Sequence, residues 1–342
     1  MDDQTDFYKS LPKVDLHRHL EGSLRLKTMQ EIARAHGISV PISTGPLSSL
    51  VRVQSSEPTT YQNFLTKFNT LRMFYRSPEV IHRVTREAIE DAANDNVRHL
   101  ELRFAPVALS RAERFPMGQV MDWVCESASK AVREFGLRVV LIASVNRNES
   151  VELAEQVAWL AAARMGKGIL GLDLAGNEAE FPAAPFLGIF KEAQQSGLKL
   201  TVHAGEWAGA ANVREAMENF NAGRIGHGVR VMEDPALVAM ARERGTVFEV
   251  CVTSNIQTGA VRSMQEHPVM NMMKAGLNVT LCSDDPSISQ IALSGEYRRA
   301  CEDLGMEHKA LKERILAAAR ASFLPKAECD ILVEQLVKEL SI

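Results

Sequence analysis

Eight short runs rich in Val, Ile and Leu recur along the chain, each separated from the next by a stretch with the three-and-four spacing of an amphipathic helix. They are KVDLHRH (13–19), VRHLELRF (97–104), RVVLIASV (138–145), ILGLDLAG (169–176), LKLTVHAGE (198–206), RIGHG (224–228), TVFEVCVTSN (246–255) and NVTLCSDD (278–285). Strands alternating with helical segments imply successive βα units around a parallel sheet. Eight such units fit a closed (β/α)8 TIM barrel, and no G-x-G-x-x-G follows the first run to favour an open doubly wound sheet. The 342 residues fit one such barrel, so residues 1–342 are expected to form a single domain.

The gap between the first two runs is too long for one helix. It holds a Ser/Thr/Pro-rich segment, STGPLSSLVRVQSSEPTT, expected to be a loop, and then YQNFLTKFNTLRMFY, expected to be a helix inserted at the barrel mouth. After the eighth run, GEYRRACEDLG, HKALKERILAAARAS and KAECDILVEQLVKEL read as extra C-terminal helices, punctuated by FLP.

A net charge of −4 argues against a nucleic-acid backbone binder. Five scattered cysteines without C-x-x-C spacing suggest reduced thiols, neither a disulfide framework nor a thiolate metal site. The acidic MDDQTDFYKSLPK lacks the apolar core of a signal peptide and no run is long enough to span a membrane, so a cytoplasmic location is expected.

Barrel enzymes build their sites at the C-terminal ends of strands, and there the chemically distinctive residues of this chain gather. His17 and His19 share a strand face because side chains alternate. The fifth run ends with His203 and Glu206, the sixth with His227, the eighth with Asp284 and Asp285. Three histidines and a carboxylate suit zinc or another divalent transition metal, and a position left to water would make the site catalytic. Each residue also has a plainer reading. His203 could be a satisfied core histidine, Glu206 a carboxylate complementing a helix N-terminus, His227 a polar group in a glycine turn, and Asp-Asp-Pro a turn or helix cap. The coincidence at four strand ends favours the metal. His36, His82, His99, His267 and His308 have no partner in the pattern and carry no expected role.

In order and spacing, PKVDLHRHLEGSL, GLDLAGNE, TVHAGE, RIGHG, SNIQTGAV and SDDP resemble the adenosine deaminase family, the mononuclear-zinc branch of the amidohydrolase barrels. The resemblance runs from about Leu11 to the ASFLP segment at 321–325. It implies one zinc per chain held by His17, His19, His203 and Asp284. It implies that Glu206 protonates purine N1, that His227 orients and helps deprotonate the attacking water, that Asp285 meets N7, and that the backbone of Gly176 meets N3. His19 and Glu21 would meet the ribose 5′-hydroxyl, and Tyr61, Phe64, Leu65 and Phe68 would form an apolar lid. On spacing alone, that stripe is equally an ordinary core-facing one.

The chain departs from the family where Glu21 replaces the usual Asp, where Trp207 follows Glu206, where Tyr61 stands on the lid, and where Val252 replaces a usual Pro. The expected reaction is hydrolytic deamination of adenosine or 2′-deoxyadenosine. A 5′-modified adenine nucleoside such as aminodeoxyfutalosine comes second, free adenine third and AMP last, since the motifs hold no obvious cationic cradle for phosphate. A binuclear amidohydrolase would want a Lys at the end of the fourth run, which ends DLAGNE. A non-catalytic nucleoside-binding barrel would normally have lost a ligand or the acid.

Overall fold

The computed structural model describes residues 3–342, with side chains from residue 7 onward. The opening of the acidic MDDQTD stretch, read above as lacking an apolar leader, therefore falls largely outside the described side chains. Among the described residues, eight strands lie side by side in sequence order: β1 Lys13–His19, β2 Val97–Phe104, β3 Arg138–Asn146, β4 Ile169–Ala175, β5 Lys199–Ala204, β6 Arg224–His227, β7 Val247–Val250 and β8 Asn278–Leu281. All seven neighbouring pairs are parallel.

The seam between β8 and β1 is closed above the end of β8, where Arg18 bridges Asp284 in parallel fashion. The amide of His19 donates to the Asp284 carbonyl, and that of Asp284 to the His17 carbonyl, both at 2.8 Å. Thus the sheet forms a barrel, and among the described residues no helix is long and apolar enough to cross a membrane.

Alternation sorts each strand. Leu100, Leu102, Leu172, Leu174, Val202, Ile225, Phe248, Val250 and Val279 are buried and apolar. The residues between them, including Glu101, Arg103, Asp173, Thr201, His203 and Glu249, are equally buried but polar. Their mutual contacts across the sheet put them in the lumen. Phe323 plugs the bottom against Val140 and Ile142. A Cβ at Gly171 would lie 2.8 Å from the Phe323 ring, so only glycine admits this plug.

Three expectations about element limits need correction. The run 246–255 is a strand only to Val250; Val252–Gln257 is a helix, with the buried Glu296 carboxylate accepting from the Thr253 amide. The run 278–285 is a strand only to Leu281, because Asp284 takes a left-handed backbone (φ 59°) that ends the extended chain. The Ser/Thr/Pro-rich segment is not all loop: Thr44–Val51 is helical, burying Leu47 and Val51. The expected inserted helix spans Tyr61–Leu71, capped by Thr60, whose side chain accepts from the Asn63 amide.

Candidate active site

Above the plug lies a fully buried charged layer. Glu249 accepts from Arg224 Nε at 2.6 Å, from Arg103 at 2.9 Å and from His17 Nδ1 at 2.8 Å. Asp173 accepts from His203 Nδ1 at 2.9 Å, with Arg103 at 3.3 Å on its other oxygen. Arg224 also pairs with Glu101 at 2.7 Å. Burial alone would raise the pKa of each carboxylate, but the guanidinium and imidazole partners overcome it, holding Glu249 and Asp173 well below their ordinary values.

These carboxylates fix the rings above them. With Nδ1 of His17 and of His203 committed downward, each Nε2 faces up. His17 Nε2 lies 3.2 Å from His19 Nε2 and 3.3 Å from Asp284 Oδ1; His19 Nε2 lies 3.4 Å from that oxygen. His203 stands with its ring centroid 4.6 Å from that of His17. The donor atoms of His17, His19 and Asp284 lie within 4.8 Å of one another, as do those of His17, His203 and His227. Gly226 makes room, since a Cβ there would lie 3.1 Å from the His17 ring and 3.2 Å from that of His203.

The charges fit a divalent cation. Glu101, Asp173, Glu249 and Asp284 are four carboxylates in or beside this layer, against two guanidiniums, Arg103 and Arg224. Two negative charges remain uncompensated by arginine beside the histidines. Donor separations of 3.2–3.4 Å match those around one small ion, since bonds near 2.05 Å at tetrahedral angles span about 3.3 Å.

The mouth above holds a cavity of about 490 Å³. Glu206 and His227 line it, with Glu206 Oε2 3.4 Å from His227 Nε2; Glu206 also accepts from Thr258 Oγ1 at 3.2 Å. Burial, then the charges of Asp284 and Glu178, push the Glu206 pKa well above the usual range, so it holds a proton. Burial leaves His227 uncharged, its Nδ1 hydrogen-bonded to the Asn255 side-chain amide at 3.0 Å. Like Asp284, His227 has a left-handed backbone (φ 60°), a conformation non-glycine residues adopt at a cost.

Asp285 is also raised, by burial and then by the carboxylates of Asp284, Glu21 and Glu206, and its Oδ1 has no partner among the described residues. A Cβ at Gly22 would fall 1.8 Å from that oxygen, which explains the glycine of HLEGSL. Glu21 accepts from the Ala105 amide at 2.6 Å; burial pushes its pKa to about 7. Gly176, with φ 89°, lines the cavity, and a Cβ there would lie 3.0 Å from the Arg147 amide nitrogen.

Phe64, Leu65 and Phe68 of the inserted helix line the cavity. Tyr61 does not: its ring stacks on Trp207 at 5.1 Å, and its hydroxyl donates to Glu180 at 3.3 Å. It holds the helix against the loop after β5, so the two bulky departures from the family pattern explain each other. His99 also has a partner after all, Glu101 at 3.2 Å.

Sequence reasoning missed the supporting groups Asp173, Glu249, Arg103, Asn255 and Thr258. It also missed Glu178, whose carboxylate accepts from the amides of Gly205, Glu206, Trp207 and Ala208 and so fixes the loop bearing Glu206. The signal was the alternation of HLELRF and of LDLA, where charges fall every second residue within apolar runs. Cys251 was missed too; its sulfur lies within 4.8 Å of His227 and Asp284 donor atoms, but burial keeps the thiol protonated.

A family profile described as "Adenosine deaminase" matches residues 12–339. The chain is 35% identical over 331 residues to an adenosine deaminase of Klebsiella pneumoniae, covering 96% of this chain and 98% of that one. Among solved structures, the adenine deaminase AAur1117 of Arthrobacter aurescens superposes with a TM-score of 0.89 at 26% identity, covering 97% of this chain and 100% of that one. Arabidopsis ADAL complexed with GMP gives 0.84 at 26% identity, covering 98% of each chain.

Proposed function

Because the chain belongs to the adenosine deaminase family and is a hydrolytic aminohydrolase, we propose that it deaminates adenosine and 2′-deoxyadenosine to inosine and 2′-deoxyinosine with release of ammonia. The observation that carries this reading is the pair of Glu206, buried and protonated, and His227, uncharged, 3.4 Å apart on the cavity wall beside Asp284.

In this reading His17, His19, His203 and Asp284 hold one zinc ion. When bound, the ion supplies Lewis acidity and lowers the pKa of water to about 7. The residues do the rest. His227 orients the attacking water and takes part in its deprotonation. Glu206 gives its proton to purine N1, which makes C6 electrophilic as the C–O bond forms. The C6–N bond then breaks and the amino group leaves as ammonia with a proton returned from the site. Asp285, kept protonated, donates to N7, and the Gly176 amide to N3. Phe64, Leu65 and Phe68 exclude water above the base, and His19 and Glu21 meet the ribose 5′ end.

A second substrate reading is favoured by Arg72. It lines the same cavity, its Nε is buried without a partner among the described residues, and its charge acts on Glu21. A cation thus stands near the 5′ end, where the motifs alone offered none, and a 5′-extended adenine nucleoside with an acidic substituent gains a partner.

Metal-replete protein supplied with adenosine, deoxyadenosine, adenine, AMP and 5′-carboxylated adenosines tests both readings through absorbance loss and ammonia release. Adenosine should give the highest kcat/KM. Binding of adenosine without ammonia release by zinc-loaded protein would replace the enzyme reading with a nucleoside-binding barrel.

A further inference from the structure

We propose that a second cavity, behind the turn after β1 and outside the lumen, binds a phosphate group. The reason begins with strand alternation. His17 and His19 face the lumen, so Arg18 between them must face outward, where Val14 and Leu16 pack in the core. Arg18 is 6% exposed. Its Nε donates to Ser23 Oγ at 3.2 Å, and the carboxylates whose charges act on it, Asp15, Asp91 and Asp95, form no direct ion pair with it. A buried charge without a direct ion pair is costly, and an anion reaching the guanidinium through the cavity would offset that cost.

The guanidinium opens onto a cavity of about 390 Å³ that Lys9, Arg25, Arg52, Asp91 and Asp95 also line. Of the two carboxylates, only Asp91 is paired with a cation. Asp91 is held by Arg25 at 2.6 Å, and Asp95 accepts from the Ser294 amide at 2.9 Å. Arg52 has a buried Nε without a partner among the described residues. Lys9, Arg18 and Arg52 thus face one space against the single charge of Asp95, an excess of two positive charges, and two of these cations carry the planar donor arrays that match a phosphate. The volume leaves room for what the phosphate is attached to.

The cavity touches the catalytic framework through backbone. Ser23 Oγ, which receives the Arg18 bond, donates to the His19 carbonyl at 2.7 Å. On the opposite wall Pro286 and Ser287 directly follow Asp284 and Asp285. A phosphate on Arg18 would tighten the two segments that carry His17, His19 and Asp284.

The test titrates the full-length holoenzyme with inorganic phosphate or ribose 5-phosphate at constant ionic strength, reading thermal midpoint and backbone amide exchange. The expected result is a saturable rise in midpoint with slowed exchange in residues 17–25 and 284–293. Arg52→Met should weaken the phosphate response at least about tenfold, Arg52→Lys should restore part of it, and adenosine turnover without phosphate should be unchanged in both. Tighter binding of ribose 5-phosphate identifies an ester as the ligand, equal binding the free ion; both support the site. No saturable response overturns the proposal. So does a response that survives Arg52→Met but is lost in Arg72→Met, which would place the anion in the substrate cavity.

Discussion

The lumen contains two sets of equally buried carboxylates that behave oppositely. Below the histidines, Glu101, Asp173 and Glu249 are ionised; above them, Glu206 and Asp285 keep their protons and Glu21 keeps its own up to a pH of about 7. Burial acts in the same direction on all six. What differs is company: the lower set touches Arg103, Arg224 and imidazoles, whereas the upper set faces mainly other carboxylates. The lower layer therefore supplies fixed negative charge to orient ligand rings, and the upper layer supplies protons to a substrate. A residue's partners, more than its depth, decide whether it acts as anchor or acid.

The contrast can be broken from above or below. The largest effect should come from Glu206→Gln, which keeps the shape but not the proton: turnover should fall at least ~10²-fold with zinc content unchanged, measured by steady-state rates and metal analysis. Near-normal rates would remove Glu206 from the proton-donor role. In wild type, kcat should decline as pH rises through the elevated pKa of Glu206, since only the protonated acid can donate.

From below, Glu249→Gln removes the negative charge that orients His17 and leaves one carboxamide oxygen to serve His17, Arg103 and Arg224. Zinc affinity in a chelator competition should drop roughly 10–100-fold, and stability by about 3–5 kcal/mol. Unchanged affinity would show that the lower layer serves the fold alone.

A smaller effect of opposite sign is expected at Glu21. Its folded pKa of about 7 lies above the ordinary 4.5, so the folded protein holds this proton more tightly than the unfolded chain does. That contribution is complete below pH 4.5 and is lost as pH rises through 7. Glu21→Gln should thus match wild type in denaturant melts at pH 4.5 and exceed it at pH 8, by up to roughly 3 kcal/mol. The smallest effect is Glu21→Asp: zinc content unchanged, but the ranking among 5′-variant nucleosides altered. An identical ranking would detach Glu21 from the ribose 5′ end.

Much of this was legible because it depends on local rules. Eight apolar runs gave eight strands in order, and His17, His19, His203, His227 and Asp284 converge because each ends a strand or follows one. The lower layer was not legible in the same way. Charged residues alternating with Leu, as in HLELRF, ordinarily mark a strand with one wet face, and only closure of the barrel turns that face into a dry interior. The role of Tyr61 was hidden for a related reason: it shares a helical stripe with Phe64, Leu65 and Phe68, and its stacking partner Trp207 lies 146 positions away. The left-handed turns at His227 and Asp284 were masked by side chains that normally avoid that conformation.

The seam has a consequence for how the protein comes into being. The backbone bonds that join the first strand to the last are made by His17, His19 and Asp284 themselves. An ion gripping those side chains would act as a clasp between the beginning and the end of the polypeptide. A nascent chain that had not yet reached Asp284 would have no clasp to fasten, so activity and topological completion should arrive together.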